Sequence, residues 1–190
     1  MALTIQEKKE LFEELKRWLQ QSMEIPVELC REDVSLPEYA RDGDAGMDVR
    51  AALDCFIRPG ETVFILTGLK MAIPLGFEIQ VRPRSGLSFK TPLRVANATG
   101  TIDSGFRDEI KIIFHNSSSK YLTEGDNDYP VYTIDEAGNK EGIYHIRKGD
   151  RIAQLVLNKI EQIEFIPVQS GTVKTIGINR GGGFGHTGSK

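Results

Sequence analysis

The chain has 190 residues, 39% hydrophobic and 27% charged, the balance of a globular domain with some decoration rather than of a disordered or fibrous chain. No apolar run approaches the ~20 residues of a membrane span and the Glu/Lys-rich start is no secretory signal, so no membrane partner is expected. A net charge of −3 lacks the basic footprint of nucleic-acid binding. Cys30 and Cys55 lie far apart and show no ligand spacing with His115, His145 or His186, which suits reduced thiols in a cytoplasmic protein and not a zinc site.

The first 25 residues are expected to be a separate amphipathic segment, helical over 4–21. Thr4 and Glu7 have the spacing of a capping box. Ile5, Phe12, Leu15 and Leu19 recur at helical spacing, with Leu11 and Trp18 widening the stripe. Such a stripe is expected to dock on the protein's own core or on a neighbouring subunit.

From Val27 the pattern becomes short β-like segments broken by Gly and Pro. Strands are expected at Val27–Leu29, Met47–Ala51, Cys55–Ile57, Glu61–Leu66, Lys70–Ala72, Phe77–Val81, Arg94–Ala96, Ile110–His115, Val131–Ile134, Ile143–Ile146, Arg151–Lys159 and Phe165–Val168. Many short strands in succession predict an all-β fold, a barrel or jelly roll over residues 26–176. Residues 117–146 open on three serines and continue rich in Asp, Glu, Gly and Asn. They are expected to form a surface insertion, with 131–146 as a hairpin around Glu136-Ala137-Gly138-Asn139. Residues 177–190 form a Gly-rich end that is costly to order alone. With one aromatic ring, one arginine and a hydroxyl-rich terminus, the end suits a lid over a nucleotide.

The stretch Gly183 to Ser189 imitates a P-loop, but Ser189-Lys190 is in the wrong order and no helix follows. Four other segments carry usable chemistry. Ala45-Gly46-Met47-Asp48 is a turn ending in a carboxylate. Pro83-Arg84-Ser85-Gly86-Leu87 combines a guanidinium that can fork phosphate oxygens with a hydroxyl and a Gly that permits close backbone approach. Gly100-Thr101-Ile102-Asp103-Ser104 places a carboxylate beside an apolar side chain, where Asp103 could serve as a partly buried general base. Gly149-Asp150-Arg151-Ile152-Ala153-Gln154-Leu155 enters a strand with Gln154 between apolar neighbours, and such a polar residue needs a partner.

Together with the tail Arg180-Gly-Gly-Gly-Phe184-Gly185-His-Thr187-Gly188, and in this order, these segments resemble the five motifs of the homotrimeric dUTP diphosphatases (dUTPases). The resemblance runs from about Ala45 to Gly188. It implies a dUTPase-like distorted β-barrel or jelly roll, here with an added N-terminal helix and a hairpin insertion. The implied reaction is magnesium-dependent hydrolysis of dUTP to dUMP and pyrophosphate. That reaction limits uracil entry into DNA and supplies dUMP for thymidylate synthesis. By resemblance, Asp103 activates the attacking water, and Gln154 hydrogen-bonds near it and the α-phosphate. Arg84 and Ser85 grip the phosphates, with Gly86 giving backbone contact. Asp48 holds waters around Mg2+, and Asn97, Gly100 and Ile102 lie along the uracil and sugar subsite. Phe106 packs under deoxyribose, Phe184 stacks on uracil, Arg180 reaches the γ-phosphate, and Gly185 and Thr187 add hydrogen bonds. The family's sites are shared within a homotrimer, which would draw Arg84 and Gln154 from one chain, Asp103 from a second and Phe184 from a third.

Three positions depart from the family pattern. Phe106 stands where the family has Tyr, keeping the ring and losing the hydroxyl. Asp108 stands where a Gly is usual, and Met47 replaces a common aromatic. The dCTP deaminases share a similar Ile-Asp-x-Gly-aromatic segment, but that chemistry needs a Glu where this chain has Ile113 and an Arg where it has Thr101. A non-catalytic nucleotide-binding relative would have no need of Asp103, Arg84, Gln154 and Arg180 together.

Overall fold

A computed structural model of the chain describes residues 3–19, 23–119, 129–136 and 138–179. It comprises two compact units, residues 1–160 and 161–190.

The first unit begins with helix α1 (Ile5–Leu19). Its start is the expected capping box: the Thr4 amide donates to Glu7 Oε2 at 2.7 Å and the Glu7 amide to Thr4 Oγ1 at 3.3 Å. The Thr4 amide, and after it the Thr4 hydroxyl donating to the same Oε2 at 2.8 Å, hold the Glu7 carboxyl below the usual glutamate value. Of the expected stripe, Ile5, Leu11 and Phe12 remain 76%, 47% and 59% exposed. Docking on the protein's own core is therefore not what these side chains do.

Among the described residues twelve strands follow: β1 (Val27–Leu29), β2 (Met47–Arg50), β3 (Cys55–Ile57), β4 (Thr62–Leu66), β5 (Leu69–Met71), β6 (Phe77–Pro83), β7 (Leu93–Val95), β8 (Gly100–Ile102), β9 (Lys111–Asn116), β10 (Val131–Thr133), β11 (Ile143–Ile146) and β12 (Arg151–Lys159). Helix α2 (Ser85–Lys90) lies between β6 and β7. The strands form four small sheets, ordered β1-β5, β10-β11-β3, β2-β12-β6-β8 and β4-β9-β7. All four contribute to one apolar core, a distorted barrel centred on Val49, Ile57, Ile65, Ile79, Phe114 and Leu155. Alternation decides which residues turn inward: in β6 Ile79 and Val81 are buried, while Gln80 and Arg82 between and beyond them face outward.

Buried polar groups are matched within the fold. The Thr67 hydroxyl donates to Ile110 O at 2.7 Å. Asn116 Nδ2 donates to Ile57 O and Gly142 O at 2.9 and 2.8 Å. Gly68 is the position where backbone freedom matters most. Its φ is 72°, and a Cβ there would stand 2.5 Å from Val34 Cγ2, so a side chain could neither adopt the conformation nor fit.

Two expectations in this part of the chain fail. Residues 131–146 are not a hairpin, because β10 and β11 pair in parallel, Val131 opposite Ile143 and Thr133 opposite His145. Nor does the surface insertion extend to 146. β11 pairs with β3 and buries Tyr144 and Ile146 to 1% and 0% exposure. The physical reason is the apolar alternation of Ile143-Tyr144-His145-Ile146, which places two large side chains inward whatever the polarity of the preceding loop. The expected strand at Phe165–Val168 is also absent. Those residues carry no strand assignment in the second unit, where Phe165 is 86% exposed and the one regular element described is a 3-10 turn at Thr172–Thr175.

Candidate active site

The outward face of the β2-β12-β6-β8 sheet carries Asp48 and Gln154, with Arg84 just past the end of β6. Gln154 on β12 lies opposite Asp48 on β2 and opposite Arg82 on β6. Directly opposed residues project to the same face, so Asp48, Gln154 and Arg82 form one row. Beneath them Val49, Ala153, Leu155 and Val81 face the core. This resolves the partner question for Gln154: it is a half-buried polar residue on the outer face, not an inward one. Gly46 completes the approach of β2 to β12, since a Cβ there would meet Val156 Cγ2 at 3.1 Å and Gln154 Cβ at 3.4 Å.

Arg84 follows β6 and precedes α2. Its Nε donates to Asp48 Oδ1 at 3.0 Å, its Nη2 to Asp48 Oδ2 at 3.4 Å and its Nη1 to the Arg151 carbonyl at 3.1 Å. Arg151 Nη1 also donates to Asp48 Oδ2, at 3.2 Å. Asp48 and Arg84, to which the resemblance gives separate tasks, are thus direct partners. Arg151 is a residue that sequence reasoning left without a role. Its signal was the charged position inside Gly149–Leu155, just where β12 bulges between Arg151 and Ala153. Ser85 and Gly86 open α2, where first-turn amides have no intrahelical acceptor. Both are exposed, and nothing lies within 4 Å of where a Gly86 Cβ would stand.

The other half of the motif set is elsewhere on the same sheet. β8 pairs with β6 through Val81 opposite Gly100 and Ile79 opposite Ile102. Continuing that register by one residue brings Asp103 level with Glu78, at the far end of β6 from Arg84. At the ~3.3 Å rise of a strand, the separation is roughly 20 Å. Asp103 is exposed rather than partly buried, because it follows the last paired residue of β8 and its carbonyl closes a turn with the Phe106 amide at 3.0 Å. It lines a cleft of about 140 Å³ with Thr101, Ile102, Phe106, Ile110 and Lys111. Asn97 is exposed and folds its amide over buried Gly100, where a Cβ would meet Asn97 Nδ2 at 3.0 Å. Arg180, Phe184, Gly185 and Thr187 lie outside the described residues.

Magnesium can be tested against this donor set. Among the described residues no group of three His, Cys, Asp or Glu side chains could cage an ion. Asp48 offers about four lone-pair directions, of which Arg84 and Arg151 take three. What remains suits one hydrogen bond to a metal-bound water and not a protein cage, which fits an ion held chiefly by substrate phosphates.

A small β-barrel thus carries a guanidinium–carboxylate array and a short helix towards one end of one sheet, and a turn aspartate at that sheet's far end. The dUTPase family model matches residues 32–127. Deoxyuridine 5'-triphosphate nucleotidohydrolase of Fusobacterium nucleatum is 42% identical over 167 residues, covering 86% of this chain and 97% of that one. The enzyme of the same name from Desulfotalea psychrophila is 44% identical over 159 residues, 83% of this chain and 89% of its own. Among solved structures, a tyrosine-to-phenylalanine mutant of the Staphylococcus bacteriophage 80alpha dUTPase with dUpNHpp superposes with a TM-score of 0.73 at 30% identity, covering 88% of this chain and 99% of that one. An aspartate-to-asparagine mutant of the dUTPase from phage phi11 of S. aureus, described with a structural Mg(II) ion, gives 0.67 at 31% identity over 78% of this chain and 99% of its own. The chain belongs to the dUTPase family.

Proposed function

We propose that the protein hydrolyses dUTP to dUMP and pyrophosphate, at sites assembled between the chains of a homotrimer. Family membership supports the reaction. The observation that carries the assembly is the distance of roughly 20 Å between Asp103 and Arg84 along one sheet. A nucleophile-activating aspartate must stand within hydrogen-bond reach of the water it deprotonates. It cannot do so at the α-phosphate of a nucleotide whose phosphates sit on its own chain's Arg84. Exposed apolar residues of the second unit, Phe165, Ile166 and Val173 at 86%, 78% and 72%, suit burial against a neighbouring copy.

In this reading Arg84, Ser85 and the Gly86 amide hold the phosphates of one chain's site, with Gln154 directed at the α-phosphate and the attacking water. Arg84 must share its donors between Asp48 and substrate, and Asp48 keeps the fork oriented while hydrogen-bonding the hydration shell of the cation. Magnesium, when bound with the triphosphate, neutralises charge on the leaving pyrophosphate. Asp103 of a second chain accepts the water's proton, and the Phe106 ring beside it packs against the deoxyribose. Phe106 has no hydroxyl, but the ring is the part that excludes a 2′-hydroxyl. Arg180, Phe184, Gly185 and Thr187 of a third chain close over base and γ-phosphate. Ile113 lies within β9 opposite Phe64, an apolar strand position with no proton to offer a deaminated ring. The two free cysteines suit a reducing, cytoplasmic setting.

The test is pyrophosphate release with magnesium from dUTP and, separately, from dCTP. Release from dUTP with little from dCTP is expected. Ammonia release from dCTP, or binding of dUTP without turnover, would overturn the reading.

A further inference from the structure

The ribbon from β10 to β11 meets the region of α2 in two ways, one contact and one shared cavity. The Asn139 amide donates to the Lys90 carbonyl at 2.7 Å. Lys90 ends α2, and carbonyls of a last helical turn have no intrahelical donor. Thr91 supplies the Leu87 carbonyl through its amide and its hydroxyl, at 3.0 and 2.8 Å, and the ribbon supplies Lys90. Second, Ile134 and Asp135 share with Arg84, Gly86 and Lys90 the lining of a cavity of about 220 Å³.

The loop that makes the first contact is braced from the core. Buried Tyr144 donates its hydroxyl to the Lys140 carbonyl at 2.8 Å. Gly142 is held on both sides, accepting from Asn116 Nδ2 at 2.8 Å and donating to Ser118 Oγ at 3.2 Å. Gly138 and Asn139 take positive φ values of 112° and 50°, which these two residue types tolerate best. By contrast α2 has six residues and no side-chain cap at its start, too short to hold its orientation by its own hydrogen bonds.

We propose that the ribbon is a positioning element for the substrate site: Asn139, braced through Tyr144, fixes the last turn of α2 and thereby the Ser85 and Gly86 amides at its first turn. The inference rests on the reading of that first turn as phosphate-binding.

Three variants test it in the full chain. Asn139→Pro removes the donor, Tyr144→Phe removes the brace while keeping the ring in the core, and Asn139→Gly keeps the donor and the positive φ. Hydrogen exchange of the helically bonded amides 88–90, beginning with Ser88 to the Arg84 carbonyl, is expected to quicken about tenfold in the first two variants and to match wild type in the third, with the rest of the barrel unchanged. The KM for dUTP should rise roughly three- to tenfold with kcat within about twofold, the pattern of lost uniform binding. Unchanged exchange at 88–90 in Tyr144→Phe and Asn139→Pro would overturn the proposal. So would a quickening spread through the whole barrel, which is what a merely structural role gives. The exchange arm needs no substrate. A wild-type chain that leaves dUTP intact would therefore defeat the functional reading while the positioning claim is still decided.

Discussion

Asp103 owes its exposure to a single fact of register: β8 ends one residue before it. Among the described residues, Asp48, Arg84 and Gln154 lie towards the other end of the sheet from it, so the chemistry proposed for Asp103 depends on what is brought to it. Asp103→Asn keeps the shape and cannot accept a proton. A fall in kcat of ~10²–10⁴-fold with KM nearly unchanged is expected, the contribution of a positioned general base. Steady-state kinetics showing most of kcat retained would remove Asp103 from that role. Glu109 belongs to the scaffold instead. Burial pushes its carboxyl up, but Arg31 Nη1 at 2.9 Å and the Gly68 amide at 2.8 Å outweigh burial and hold it below the usual glutamate range. The folded chain therefore binds that proton more weakly than the unfolded chain. Its stabilising effect is complete above the unfolded value and disappears as pH falls through the folded one. Urea midpoints of wild type and Glu109→Gln should lie furthest apart at neutral pH and converge as pH falls below the usual glutamate range. A gap that stays constant with pH would contradict this. At this scale the sequence was most readable, because Asp48, Arg84, Asp103 and Gln154 each sit in a short motif whose chemistry is local. The Asp48–Arg84–Arg151 contact was not readable, since it joins three elements and depends on a bulge in β12.

Strand by strand, alternation and breakers located the elements well, as with Cys55–Ile57, Ile143–Ile146 and Arg151–Lys159, whose bounds match. Partnering was less legible. Residues 131–146 carry turn residues in the middle and apolar runs on both sides, the pattern of a hairpin, yet β10 and β11 run parallel. Periodicity reports which face is buried and says nothing of strand direction. Helix α2 was missed because Ser85-Gly86-Leu87-Ser88-Phe89-Lys90 is too short to show a helical period and begins with poor helix formers. The depth of β11 has a measurable consequence. Tyr144 is 1% exposed, and burial, with Tyr132 and Glu136 adding to it, pushes its phenol up to about 12. Tyr144→Ala should cost ~3–5 kcal/mol in urea denaturation, as for other large aromatic truncations in cores. A loss under ~1 kcal/mol would mean that residues up to 146 are the peripheral decoration their polarity suggested.

For the whole molecule, one chain presents the two halves of the proposed site at opposite ends of the β6–β8 pair. It also leaves the apolar side chains of residues 163–178 largely in solvent, although monomeric proteins rarely expose large apolar patches without a use for them. Both observations support the proposed association of copies, which sequence motifs alone could suggest only through resemblance, because nothing in a motif says which chain's motif it will meet. The most direct measurement is complementation. Asp103→Asn and a chain ending at Asn179 should each be nearly inactive on dUTP. Unfolded together and refolded as mixed trimers, they should regain a measurable fraction of wild-type pyrophosphate release, because some sites then combine an intact Asp103 with an intact tail. Mixed trimers verified by native mass spectrometry that remain as inactive as either parent would contradict a site shared between chains.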